Sequence, residues 1–215
     1  MKKYIVFDAE TIIHPNAPEI IRAKSLKVQP KPGEDLEVTQ QNEANRLYEL
    51  APLNWQHCQV VLIGLGNEEE FMSIHDGDEG YIVNEFLQIL SGALKDHLII
   101  GHNIKGFDLP MIINRARCNK IKVPPNIYQI WKGRPYFHEN IIDTLDVVGL
   151  GRNSDGNSVE NVAQAYGLKI NKTGHGANFG ELWAKSKAEG IAYNKRDVQV
   201  EMEIAHRCGL IELGF

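Results

Sequence analysis

No apolar run in the 215-residue chain approaches the ~20 residues that span a bilayer, so no membrane association is expected. Cysteine is scarce too. Cys58, Cys118 and Cys208 are widely spaced and odd in number, which suits neither a disulfide framework nor a zinc-binding Cys-x2-Cys pair. They read as reduced thiols. Basic charge is not in excess either: the net charge is −5, which taken alone argues against nucleic acid as a partner. Clustered carboxylates that hold divalent cations offset that charge, because the site is then neutralised before substrate arrives. The opening Met1-Lys2-Lys3-Tyr4-Ile5-Val6-Phe7-Asp8 has too few apolar residues before its acid for a signal peptide, so a cytoplasmic chain is expected.

The apolar fraction, 43%, is enough for an ordinary core, and the length suits a single domain over residues 1–215. Residues 3–8 read as a buried strand. Residues 58–65 and 70–75, separated by Gly66-Asn67, read as a hairpin. Residues 81–95 carry apolar side chains at helical spacing, and 97–101 form another short apolar strand. A helix over about 109–118 is expected, with Asp108 as its N-cap and Pro110 in its first turn. Residues 141–148 are compatible with strand or helix. From about Ser158 the chain reads as mostly helical, with breaks near 170–178 and 189–191. The polar, proline-bearing stretch at about 14–50 reads as an insertion, with a short helix possible over 38–50. A hairpin followed by alternating strands and helices implies an α/β fold with a mixed sheet.

The chemistry concentrates in three places. Asp8 and Glu10 stand at i, i+2 in a strand, so both project to one face. Two adjacent acids repel unless a cation lies between them, and a hard divalent metal suits their oxygens. Asp108 follows a buried strand in Gly101-His102-Asn103-Ile104-Lys105-Gly106-Phe107-Asp108, as a third ligand or a helix cap, roles that do not exclude each other. In Tyr193-Asn194-Lys195-Arg196-Asp197, Tyr193 and Asp197 lie one helical turn apart on one face. In isolation that pair reads first as a plain hydrogen-bonded surface pair. Ile191, Val198, Met202 and Ala205 are the expected core-facing set of this helix.

Together, Asp8-x-Glu10, Asn103-x3-Phe107-Asp108 and Tyr193-x3-Asp197 resemble the three motifs of the DEDD superfamily of 3′–5′ exonucleases, in its tyrosine branch. Stand-alone bacterial exonucleases related to the proofreading domain of family B DNA polymerases are the nearest likeness. The sister branch has histidine five positions before the last aspartate, and position 192 is Ala here. The resemblance extends along the chain outside roughly 14–50.

The resemblance implies an RNase H-like fold with a five-stranded mixed sheet flanked by helices. It implies two Mg2+ or Mn2+ ions held by Asp8, Glu10, Asp108 and Asp197, with Asp8 bridging and Tyr193 orienting the attacking water. Thr11, His102, Asn103 and Phe107 would bind substrate, with Phe107 packing on the terminal nucleotide; a core position for Phe107 is the alternative. Lys105, Lys195 and Arg196 would reach phosphates, or else stand as solvated charges. The implied substrate is a single-stranded or frayed 3′ end of DNA, releasing nucleoside 5′-monophosphates. A DNA polymerase or repair proteins would be partners in trans. Asp143 in Ile142-Asp143-Thr144-Leu145-Asp146 would support the site from behind, with Asp146 a weaker candidate. His175 is a loop residue that would touch phosphate or stand in solvent. The same chemistry on RNA, a catalytically silent nucleic-acid-binding module and an RNase H-type endonuclease are the alternatives.

Overall fold

The computed structural model describes residues 3–128, 139–150, 156–169 and 179–212. The expected break at 170–178, with His175, lies outside the described residues.

Strand β1 (Lys3–Ile13) is the middle of a five-stranded sheet. It runs further than the expected 3–8, because Ala9–Ile13 continue the ladder with β2 (Cys58–Gly66). β2 lies antiparallel to β1 and turns into antiparallel β3 (Phe71–Ile74). On the other side of β1 lie β4 (His97–Gly101) and then β5 (Ile141–Asp143), both parallel. The order β3-β2-β1-β4-β5 is the mixed five-stranded α/β arrangement expected, with the hairpin beside the first strand. The ambiguity over 141–148 resolves as both: β5, then the short helix α6 (Thr144–Val148).

Two helices, α1 (Ala17–Ser25) and α2 (Leu36–Glu49), fill the insertion. α1 was not expected. Its apolar signal is little more than Ile20-Ile21 behind Pro18, and a small cluster of Ala17, Ile21, Ala51, Ala44 and Leu47 holds it. Helices α3 (Glu79–Ala93), α4 (Asp108–Cys118) and α5 (Pro125–Tyr128) cover one sheet face. Helices α7 (Val159–Ala165), α8 (Phe179–Lys185) and α9 (Lys187–Arg207) lie on the other.

The pleat of β1 divides these two layers. Phe7 and Ala9 join the core with Phe86, Leu109 and Ile112, while Tyr4 and Val6 pack with Ile100, Val198 and Ala205 beneath α9. Asp8 and Glu10 therefore belong to the α9 side. Between the partners of Glu10 and Thr11, β2 carries one extra residue, Val61. Such a bulge bends a strand and re-aims its side chains. A buried ion pair stiffens the opposite face: Arg115 meets Glu79 at 2.6 Å, and Glu79 also accepts the Val60 N–H at 2.7 Å.

Two further boundaries differ from expectation. Asp108 is the first residue of α4 rather than its cap; Phe107 takes the cap position, and no side chain caps there. The Asp108 carboxyl turns instead toward β1. The expected break at 189–191 is absent, because α9 starts at Lys187 and Ser186 caps it. Gly190 serves packing: a Cβ there would lie 2.6 Å from the Trp183 ring. Among the described residues no helix is long and apolar enough to cross a membrane.

Candidate functional site

Ligand oxygens of Asp8, Glu10 and Asp197 lie within 4.8 Å of one another. Strand alternation delivers the first two, and α9 crossing the sheet delivers the third. The set is all oxygen and can hold a metal ion of the hard divalent kind.

The electrostatics are those of crowded, buried acids, which a bound cation would relieve. Burial pushes the Glu10 carboxyl well above the usual carboxylate range, and the charges of Asp8 and Asp197 push it further. Opposing them is the Asn194 amide, which donates to Asp8 Oδ2 at 2.8 Å and approaches Glu10 Oε1 at 3.5 Å.

On α9, Tyr193 is buried among Leu62, Phe179 and Ile12, with its ring 5.8 Å from that of Phe179. Its hydroxyl is hydrogen-bonded to Asp197. Burial, then the nearby charges of Asp197 and Glu10, raise its pKa, so the phenol stays neutral across ordinary pH.

Asp108 stands one step behind the triad. It is 3% exposed, its Oδ1 accepts the Ala9 N–H at 3.3 Å, and burial followed by the charge of Asp8 raises its pKa. The turn before it is held by Asp143, whose carboxyl accepts the N–H groups of Asn103 (2.7 Å), Lys105 (2.9 Å) and Leu145 (3.0 Å). Asp143 thus also caps α6. Asp146 pairs with the Lys105 ammonium at 3.0 Å.

A cleft of ≈ 250 Å³ opens over the acids, lined by Asp8, Glu10, Thr11, Phe107, Tyr193 and Asp197. Glu49, Pro52 and Leu53, at the end of the insertion, form its other wall. The Thr11 hydroxyl donates to the Pro52 carbonyl and ties that wall to β1. Phe107 is half-buried: it lines the cleft and also packs against the core.

His102 and Asn103 are not among the lining residues. Both ring nitrogens of His102 are engaged, Nδ1 with the Thr144 hydroxyl (2.9 Å) and Nε2 with the Asn157 carbonyl (2.6 Å). Asn103 sits at φ 62, in the left-handed region asparagine tolerates, and shapes the turn: its carbonyl accepts the Gly106 and Phe107 N–H groups. Lys195 lies over the Phe71 ring at 5.6 Å, on a different surface.

Two residues of this neighbourhood escaped sequence reasoning, Asn194 and Glu201. Both are buried polar residues on α9. Glu201 accepts the backbone N–H of His102, and burial raises its pKa well above the carboxylate range, with Asp8, Asp108 and Asp197 adding to it. A readable signal existed. Positions 191, 194, 198, 201 and 205 form a heptad-like seam facing the sheet, and two of its members are polar where apolar residues are the rule.

Models of known protein families give no match to the chain, and neither do curated proteins. Among solved structures, the chain is similar to the family B DNA polymerase from the hyperthermophilic archaeon Pyrobaculum calidifontis, with a TM-score of 0.61 and 15% identity. The match takes in 96% of this chain and 24% of that one. At that identity the likeness is one of fold, and the chain spans about a quarter of the polymerase's length.

Proposed function

We propose that the chain is a metal-dependent 3′–5′ exonuclease of the tyrosine-containing DEDD type, removing nucleoside 5′-monophosphates from single-stranded or frayed DNA ends. The observation that carries the reading is the gathering of Asp8, Glu10 and Asp197 within 4.8 Å in a cleft that Tyr193 also lines. A fold shared with part of a DNA polymerase supports DNA as the substrate class.

Asp8, Glu10 and Asp197 would hold Mg2+ or Mn2+, and Asp108, behind them, would join them for a second ion. Bound metal supplies a nucleophilic water at neutral pH and offsets charge on the attacked phosphate. The remaining work falls to the side chains. Tyr193, neutral and anchored on Asp197, orients the attacking water rather than taking its proton. Phe107 and Leu53, on facing walls, grip the terminal nucleotide by apolar contact, which tolerates any base. Asp143 keeps the turn ahead of Asp108 in place.

The test is digestion of a 5′-labelled single-stranded DNA with Mg2+ or Mn2+, beside matched RNA and an Asp8→Ala control. The expected result is a metal-dependent ladder shortening from the 3′ end, lost in the control, with DNA cut faster than RNA. Cutting of circular single strands would instead establish an endonuclease.

A further inference from the structure

Asn194 occupies a core-facing position of α9 and has no solvent exposure. Its Nδ2 donates to Asp8 Oδ2 at 2.8 Å and lies 3.3 Å from the Asp8 carbonyl and 3.5 Å from Glu10 Oε1. Its Oδ1 is buried and has no hydrogen-bond partner among the described residues. Swapping oxygen and nitrogen would aim an acceptor at the carboxylate and carbonyl oxygens of Asp8, so Asp8 dictates the amide's orientation. Oδ1 is thereby forced against β2 at Gly64, the residue directly opposite Asp8 in the ladder. A Cβ built on Gly64 would lie 1.8 Å from that oxygen. An unpaired buried oxygen lowers stability, and an apolar residue here would avoid the loss. What the asparagine supplies is its donor.

Resting on the metal-site reading above, we infer that Asn194 is a positioning residue for the metal ligands and that Gly64 is the seat that makes its placement possible. A neutral donor between two acids restrains them without cancelling the negative charge that attracts the ion. Metal-binding sites depend on such outer hydrogen bonds to aim their ligands, and losing one typically lowers affinity about 10- to 100-fold. Removing the amide lets Asp8 and Glu10 repel and turn apart. Adding a methyl at Gly64 drives Asn194 from its seat and reaches the same end from the other side.

The experiment is a Mn2+ titration of the purified full chain, following free Mn2+ by electron paramagnetic resonance, with folding verified by circular dichroism. Wild type, Asn194→Ala, Gly64→Ala and the double variant are compared. The expected result is Mn2+ affinity about 10-fold or more weaker in each single variant, and no further loss when Gly64→Ala is added to Asn194→Ala. Normal affinity in a folded Asn194→Ala overturns the inference and leaves the metal centre standing. Losses that add in the double variant overturn the pairing with Gly64. If Asn194→Ala does not fold, Gly64→Ala decides: normal affinity there overturns the inference. Wild-type protein that binds no Mn2+ overturns the metal-site reading itself, and the inference with it.

Discussion

The Tyr193 hydroxyl is hydrogen-bonded to the carboxyl of Asp197, one turn further along α9. Because the ring also packs on Phe179, Tyr193→Phe keeps the shape and removes only the hydroxyl. The expected outcome is kcat lower by about 100-fold, the scale of a misplaced reactant, with KM for DNA and the melting temperature little changed. Steady-state kinetics beside a thermal melt test this; unchanged kcat would remove Tyr193 from the chemistry.

Asp8→Asn separates function from stability. Activity is expected to fall ~10³-fold or more, since metal-borne charge stabilisation is worth several kcal/mol. Without metal, the variant is expected to melt higher than wild type, because one of the mutually repelling carboxyls is gone. A gain of ~1 kcal/mol is about 2–4 °C at this size. A lower melting temperature in chelator would contradict the repulsion argument.

The same repulsion sets a pH dependence. Glu10, Asp108 and Glu201 all have pKa values raised first by burial and then by neighbouring carboxylates. The folded chain therefore binds more protons than the unfolded chain once pH exceeds the ordinary carboxylate range, about 4. With more protons on the folded side, metal-free stability declines as pH rises from there through neutrality. Melts in chelator at pH 5, 6.5 and 8 should show the decline. Added Mg2+ should restore more at pH 8 than at pH 5, since ligands must be deprotonated to bind. A flat curve in chelator would speak against an uncompensated acid cluster.

Asp143→Ala strips the acceptor from three backbone N–H groups, those of Asn103, Lys105 and Leu145. A loss of about 2–3 kcal/mol is expected. Activity measured well below the melting temperature should also drop, because the turn leading into Asp108 loosens. Denaturant unfolding together with kcat at low temperature checks both; full activity in the folded variant would reduce Asp143 to a helix cap.

Leu53 is 60% exposed and lines the cleft from the turn that follows the insertion. Leu53→Ala is expected to leave stability within about 0.5 kcal/mol, as exposed substitutions usually do. KM for single-stranded DNA should rise several-fold, in keeping with loss of about 1 kcal/mol of apolar contact, at constant kcat. An unchanged KM would mean that this wall of the cleft does not touch substrate.

Much of the framework was readable because it rests on local rules. Period-two alternation put Asp8 and Glu10 on one face, and the structure keeps them there on the α9 side. The 58–75 hairpin, the 97–101 strand and the long last helix came from apolar spacing in the same way. Where side chains act across space, local reading failed. Pro110 and Asp108 looked like a helix start with its cap, yet the Asp108 carboxyl bonds to Ala9 on another strand. Gly190 looked like a break, yet it is an empty place for Trp183. The His102 ring is tied to Thr144 and Asn157, far along the chain, and the Asn103 carbonyl closes the turn before Asp108, bonds that no motif spells out.

The sequence by itself determined which acids exist, that two share a strand face, and that Tyr193 and Asp197 share a helix face, because those relations follow from backbone periods of 2 and 3.6 residues. Only the tertiary structure decided which of them meet. The crossing of α9 over β1 brings Asp197 to Asp8 and Glu10, and β2 must be bare at Gly64 for Asn194 to slip between helix and sheet. Burial then decides the charge state: the same carboxyl that ionises freely on an exposed strand resists ionisation when water is excluded and other acids surround it.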